Sequence, residues 1–212
     1  MITLAIDTCL TACSVAVLDG DTVLATASEP MARGHQERLA PLTREVMRAA
    51  GLDFGAIERI GVTVGPGSFT GLRVGLAFAK GLALALDRPC VGVGSLEALA
   101  AGLSPDGLRA AVIDAGRGRV FLQIFEGEAA VVAPDSLEIA TAAARLAELA
   151  RAGDLTLTGP GARLLSDVAP GARIIDQTAP SPAVVAKLAA RAPVIAPRPL
   201  YLRAPDAKPK AA

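Results

Sequence analysis

LAIDTCLTACSVAVLDGDTVLA at residues 4–25 lies without a gap over AVIDAGRGRVFLQIFEGEAAVV at residues 111–132. Ile6-Asp7 falls on Ile113-Asp114, and Asp19-Gly20-Asp21 falls on Glu126-Gly127-Glu128. Each copy opens with a short apolar run ending in aspartate, continues with a second apolar run, and reaches an acidic-glycine turn. Such runs bounded by turn residues read as strands, and Asp19-Gly20 is a hairpin signal. Farther out, VTVGPG at 62–67 is echoed by TLTGPG at 156–161. The identities are few, but they keep one order, so the chain reads as an internal duplication.

The first copy predicts strands at 2–6, 14–18 and 22–27, a helix at 36–50, a strand at 60–64, a helix at 70–86 and a strand at 91–93. Leu39, Leu42, Val46 and Ala49 give the first helix one apolar stripe, and Gly51 ends it. Ser68 or Thr70 caps the second helix, and Ser95 caps a short third one through Ala101. Ser104-Pro105-Asp106-Gly107 is the strongest boundary signal. The second copy carries less helix, at 138–152 and 181–191. A Pro-rich segment follows from 193, with Arg198, Arg203, Lys208 and Lys210 against Asp206. The expected division is a lobe at 1–104, a smaller lobe at 105–200 and a tail at 201–212 that is disordered at its end. The duplicated β-β-β-α-β-α unit, with an aspartate closing each first strand, resembles the actin, sugar-kinase and heat-shock ATPase superfamily. That resemblance implies an α/β actin-like ATPase fold (ribonuclease H-like lobes) with a reduced second lobe.

Of the 212 residues, 52% are hydrophobic, and 21 basic residues balance 21 acidic ones. Zero net charge argues against bulk capture of nucleic acid. Cys9, Cys13 and Cys90 form no disulfide framework, which fits a reduced, cytoplasmic setting. The single histidine, His35, excludes an HExxH zinc site, and no G-x-S-x-G elbow accompanies it for a serine triad. The apolar run at 74–86 carries Lys80 and falls short of the about 18 clean residues of a membrane span.

Two groups of residues could carry chemistry. Asp7-Thr8 and Asp114, with Arg117 close behind, sit where first strands end, at the mouth of a sheet where α/β folds collect ligands. Such a carboxylate either holds hydrated magnesium or bonds the local backbone of its own turn. The second group is GPGSFTGLRVG at 65–75. It does not fit the P-loop template, although Gly67 and Ser68 before a helix could hold an anion. Gly71, Gly75 and Ala79 recur every fourth residue. That bare stripe permits close approach of another helix or packs inside its own lobe, and the sequence leaves both open.

GPGSFTGLRVG followed by Lys80-Gly81-Leu82-Ala83 resembles the signature of the bacterial TsaB (YeaZ-like) family. AIDT at 5–8, GHQERLAPL at 34–42, Ser95-Leu96-Glu97, Asp114-Ala115 with Arg117, and Tyr201-Leu202-Arg203 agree in order. The resemblance implies a non-catalytic dimerisation subunit in tRNA threonylcarbamoyladenosine synthesis. Its partners would be a TsaD-type transferase paralogue, which modifies adenosine beside the anticodon of ANN-reading tRNAs, and a TsaE-type P-loop ATPase. Contact with tRNA would be indirect. Pairing through the first two helices implies an interface of His35, Leu39, Leu42, Val46, Phe69, Gly71, Leu72, Arg73, Gly75, Leu76, Phe78 and Ala79. The isolated chain would bind no cofactor, ATP or ADP with magnesium would belong to the subunit junction, and a homodimer could form when the partner is absent. The chain departs from the family at Cys9, Gln36 and Gly116-Arg117. Competing readings are a stand-alone actin-fold ATPase or small-molecule kinase using Asp7 and Asp114, and a protease.

Overall fold

In the computed structural model, which describes residues 1–150, 155–167 and 171–203, the two copies form two five-stranded sheets. β1 (Ile2–Asp7), β2 (Ala12–Asp19) and β3 (Thr22–Pro30) make an antiparallel meander, and β4 (Arg59–Thr63) and β5 (Cys90–Val93) extend it in parallel beyond β1. The second sheet contains β6 (Leu108–Gly116), β7 (Arg119–Glu126), β8 (Ala129–Glu138), β9 (Leu155–Thr158) and β10 (Arg173–Ile175). The orders β3-β2-β1-β4-β5 and β8-β7-β6-β9-β10 are the same topology five strands apart, so the duplication extends to the tertiary structure. β1 is buried on both faces, as its continuous apolar sequence requires. β3 and β8 alternate between exposed and half-buried at the sheet edges. β10, three residues long, carried no readable sequence signal.

α1 (His35–Ala49) and α2 (Phe69–Leu86) cover one face of the first sheet. Leu39, Leu42, Val46, Met47, Leu72, Leu76 and Ala79 pack there on Leu4, Ile6, Val15, Val17, Ile60 and Val62. Gly51 ends α1 as foreseen. It takes φ +67°, while its N–H reaches Arg48 O and the Leu52 N–H reaches Met47 O, satisfying carbonyls the helix leaves open. Pro41 sits within the helix, where its ring removes one backbone donor. Arg38 ties α1 to β3 through both Glu29 oxygens, at 2.6 and 2.7 Å, and also pairs with Glu45. Ser68 caps α2 by accepting from the Gly71 N–H at 3.3 Å. The cap position of α3 (Ser95–Ala101) is Gly94, not Ser95, which already lies in the first turn.

The helices then change partners. α3 belongs to the first copy but packs on the second sheet, with Leu96, Leu99 and Ala100 against Ala111, Ile113, Phe121 and Phe125. α5 (Pro182–Arg191) belongs to the second copy but packs on the first sheet, with Val185, Ala186 and Ala189 against Ala5, Ala16, Leu18 and Val91. A boundary at 104 therefore follows chain order and not packing. Two local features seat α5. A Cβ at Gly61 on β4 would overlap the Ala189 methyl, so glycine sets the approach. Arg59 Nη1 donates to the carbonyls of Ala189, Ala190 and Ala192, each at 2.9 Å. One cation thus satisfies the open end of α5 and opposes its dipole. α4 (Ile139–Leu149) covers the second sheet with Ala142 and Leu146 on Val112, Leu122 and Leu157. The expected disordered end, with Asp206, Lys208 and Lys210, lies outside the described residues. Tyr201, Leu202 and Arg203, assigned to that tail from sequence, instead pack at the junction of the lobes.

Candidate functional site

Between the lobes lies a cleft of about 690 Å³, with Cys9 to Thr11, Pro66 to Phe69, Ile113 to Ala115, Pro160 and residues 200–203 among its walls. The first loop of each lobe, the GPG turn and its echo all meet here, as the duplication requires. Of the predicted ligand residues, Gly67, Ser68 and Asp114 line the cleft. Asp7 and Thr8 do not, because both are sealed beneath it. Asp7 Oδ1 accepts from Thr63 Oγ1 at 2.6 Å and from the Cys9 N–H at 3.0 Å, while Oδ2 has no partner among the described residues. Burial pushes the Asp7 carboxyl above its ordinary value, against the Thr63 and Cys9 hydrogen bonds and the nearby His35. Thr8 Oγ1 is spent on Gly71 O at 2.7 Å. Asp114 Oδ1 accepts from the Gly116 N–H at 2.7 Å. Both strand-end aspartates thus bond the N–H two residues on, and of the two roles open in the sequence this geometry is that of the turn.

Arg117 is at the exposed tip of the β6–β7 hairpin, with φ +56°, and does not line the cleft. The Ser68 N–H, which an anion would need, donates to Cys9 O at 2.7 Å. A Cβ at Gly67 would overlap that same carbonyl, so this glycine serves the approach of two backbones. In the first lobe these residues do not fit magnesium and a nucleotide phosphate: the Asp7 carboxylate is walled off and the Ser68 N–H is engaged internally. Among the described residues no three His, Cys, Asp or Glu side chains come together to hold a metal ion. Burial first, then the nearby Asp7, pushes Cys9 up to about 12, and burial, then Glu29, pushes Cys13 up to about 11.

Nine of the residues assigned to a partner, His35, Leu39, Leu42, Val46, Gly71, Leu72, Gly75, Leu76 and Ala79, are buried in the chain's own first lobe. The bare stripe of α2 lies on the loop after β1: a Cβ at Gly71 would overlap Thr8 O, and one at Gly75 would overlap Thr8 Oγ1. Glycine is required here because helix and strand end are closer than a side chain allows. Phe78 is half-buried, and Phe69 and Arg73 are exposed. What α2 shows outward is a different stripe, Ala77, Gly81, Leu84 and Ala85, with Leu84 86% exposed. Positions four, seven and eight apart share a helix face, so this pattern could have been found in the sequence. Among the described residues α2 is the one helix whose length and composition would suit a membrane span, and a third of it is buried against the sheet.

The sequence signals missed Cys9, Leu10, Thr11, Pro160 and Tyr201 as cleft walls, because apolar lining has no motif. Two β-β-β-α-β lobes of one topology, meeting at their first hairpins, define an actin-like ATPase fold. The activator of 2-hydroxyisocaproyl-CoA dehydratase from Clostridium difficile, solved with bound ADPNP, shares that fold, with a TM-score of 0.55 at 10% identity over 89% of this chain and 94% of that one. The family described as "TsaD: tRNA N6-adenosine threonylcarbamoyltransferase" matches residues 23–170. The chain is 38% identical over 127 residues to the tRNA threonylcarbamoyladenosine biosynthesis protein TsaB of Bacillus subtilis, covering 59% of this chain and 56% of that protein. It spans about half the length of the curated relatives it matches. A Pseudomonas aeruginosa protein of known structure, described as similar to peptidase YEAZ, superimposes with a TM-score of 0.81 at 28% identity, covering 95% of this chain and 99% of that one. The chain belongs to the TsaD family, within its TsaB (YeaZ-like) members.

Proposed function

We propose that this chain is a non-catalytic subunit for the synthesis of N6-threonylcarbamoyladenosine in tRNA, and that it pairs with and activates a TsaD-type transferase. The observation that carries the reading is the outer face of α2. Ala77, Gly81, Leu84 and Ala85 leave an apolar strip in solvent beside the exposed Lys80, with small residues that permit close helix approach. Phe69 and Arg73 extend it toward the cleft. The non-catalytic part rests on the sealed Asp7 and the occupied Ser68 N–H. The names carried by the relatives supply the pathway and the partner class. A TsaE-type P-loop ATPase completes the complex, tRNA is held through the partner, and ATP or ADP with magnesium belongs to the subunit junction.

The test is Leu84→Asp. Leu84 is 86% exposed, so the fold keeps its melting temperature. An interface anchor costs about 2 kcal/mol or more when lost, which weakens binding to the transferase roughly thirtyfold. Titration calorimetry reads the affinity, and nucleoside mass spectrometry of tRNA reads the product. Wild-type affinity and wild-type product yield for this variant would sink the assignment. Loss of self-association alone, with transferase binding intact, would assign the strip to a homodimer instead.

A further inference from the structure

Tyr201-Leu202-Arg203 is part of the sequence match, yet the proposed function assigns it no role. In the structure residues 200–203 cross from one lobe to the other. The Leu200 N–H donates to Val64 O at 2.8 Å, just after β4. The segment runs so close over the GPG turn that a Cβ at Gly65 would lie 3.0 Å from Leu200 O. The Tyr201 ring packs 5.4 Å from that of Phe69, inclined by 37°. Arg73 Nε donates to Tyr201 Oη at 3.2 Å, and its guanidinium carbon lies 3.8 Å over the Phe69 ring. Leu202 then joins the cluster in which Leu10 of the first lobe and Leu96 of α3 meet Ile113 and Phe121 of the second sheet. Arg203 Nη1 donates to Ala115 O at 2.8 Å, at the end of β6. All four residues are walls of the cleft.

We propose that residues 200–203 are an interlobe latch, which joins the first turn of α2 to the end of β6 and sets how far the cleft opens. Three features separate this from a passively packed segment. The grip is divided between the lobes, with Leu200 and Tyr201 on the first, Leu202 in the cluster where the two meet, and Arg203 on the second. It combines an aromatic pair, a cation over a ring and charge-assisted hydrogen bonds, so it is specific in direction. It also ends on the Asp114-Ala115 loop, one of the two loops that form the cleft mouth. A shift of α2 at Phe69 and Arg73 is therefore transmitted to the second lobe through four residues. The latch holds the lobes whether or not α2 meets a transferase.

The test uses the full chain with Tyr201→Ala and Arg203→Ala combined. Spin labels are placed on cysteines introduced at the exposed positions Arg44, on α1, and Glu128, on the β7–β8 turn, in a Cys90→Ser background. Pulsed dipolar spectroscopy of the parent chain is expected to give one narrow interlobe distance, and the double variant a broader and longer distribution. Amide exchange at Leu200 is expected to accelerate tenfold or more, with Ala16 and Leu122 in the central strands unchanged. Tyr201→Phe keeps the ring contact and is expected to retain the narrow distance. An unchanged distance distribution in the double variant overturns the proposal. So does equal acceleration at Leu200, Ala16 and Leu122, which would report general destabilisation and not release of a latch.

Discussion

Alanine at Gly75 and alanine at Gly81 should move stability in opposite directions, although both lie in the same helix. Gly81 has no heavy atom within 4 Å of an added Cβ. Alanine there gains only helix propensity, about 0.5–1 kcal/mol. At Gly75 the new methyl meets Val62 Cγ2 at 3.6 Å and Thr8 Cβ at 3.7 Å, both ordinary contacts, but overlaps Thr8 Oγ1. That hydroxyl must move, and moving it breaks its 2.7 Å bond to Gly71 O. Overpacking costs about 1–3 kcal/mol, and an unsatisfied buried hydroxyl about 1–3 more. Subtracting the propensity gain of about 1 kcal/mol leaves a net loss of about 3 kcal/mol. For a chain of this size that lowers the melting temperature by about 6–12 °C, while Gly81→Ala raises it by about 1–4 °C. Circular dichroism melts and urea titrations with equal m values read both. Thr8→Ala combined with Gly75→Ala should recover part of the loss, because the overlapping atom is gone. If Gly75→Ala melts with the parent and instead loses transferase binding, the stripe faces the partner and the packing described for α2 is wrong.

Asp7→Asn tests the sealed carboxylate. The folded state raises its pKa above the ordinary 3.8, so its share of stability is complete below 3.8 and is lost as pH rises through the folded value. Asparagine keeps an acceptor for Thr63 and Cys9, so the variant should be the more stable at pH 7 and the two should converge below pH 3.8; a parent that is more stable at pH 7 refutes this assignment. Arg59→Met removes three hydrogen bonds to the end of α5 and should cost about 2–3 kcal/mol in urea unfolding, with faster amide exchange in α5. Unaltered α5 exchange would mean that the helix is seated by its apolar face alone. Gly61→Ala should destabilise by about 2 kcal/mol, and Ala189→Gly in the same chain should restore part of it; additive losses would deny the contact.

The meanders were legible because a strand's period and a hairpin's turn residues are local. Ile6-Asp7 over Ile113-Asp114, and one acidic-glycine turn over another, were enough to find both sheets. Gly51 and Ser68 were legible for the same reason, since caps act within a few residues of themselves. The partner choice of α3 and α5 was not. Leu96 and Leu99 are apolar whichever sheet they cover, and only the crossing of the two copies decides it. Leu84 was within reach of helical spacing, but Gly71, Gly75 and Ala79 form the more regular pattern, and whether they pack inside the lobe is decided by Thr8, which lies far off in the chain.

By itself, the sequence determined the repeated unit, the hairpins within it and the small residues that let α2 approach something closely. Only the tertiary structure decided what that something is. It placed Thr8 against Gly71 and Gly75, sealed Asp7 under the cleft, and carried Tyr201 and Arg203 back across both lobes. The physical reason is range. Propensity, caps and alternation are fixed by residues close in the chain, whereas a close contact or a desolvated carboxylate depends on groups brought together from as far apart as residues 73 and 201.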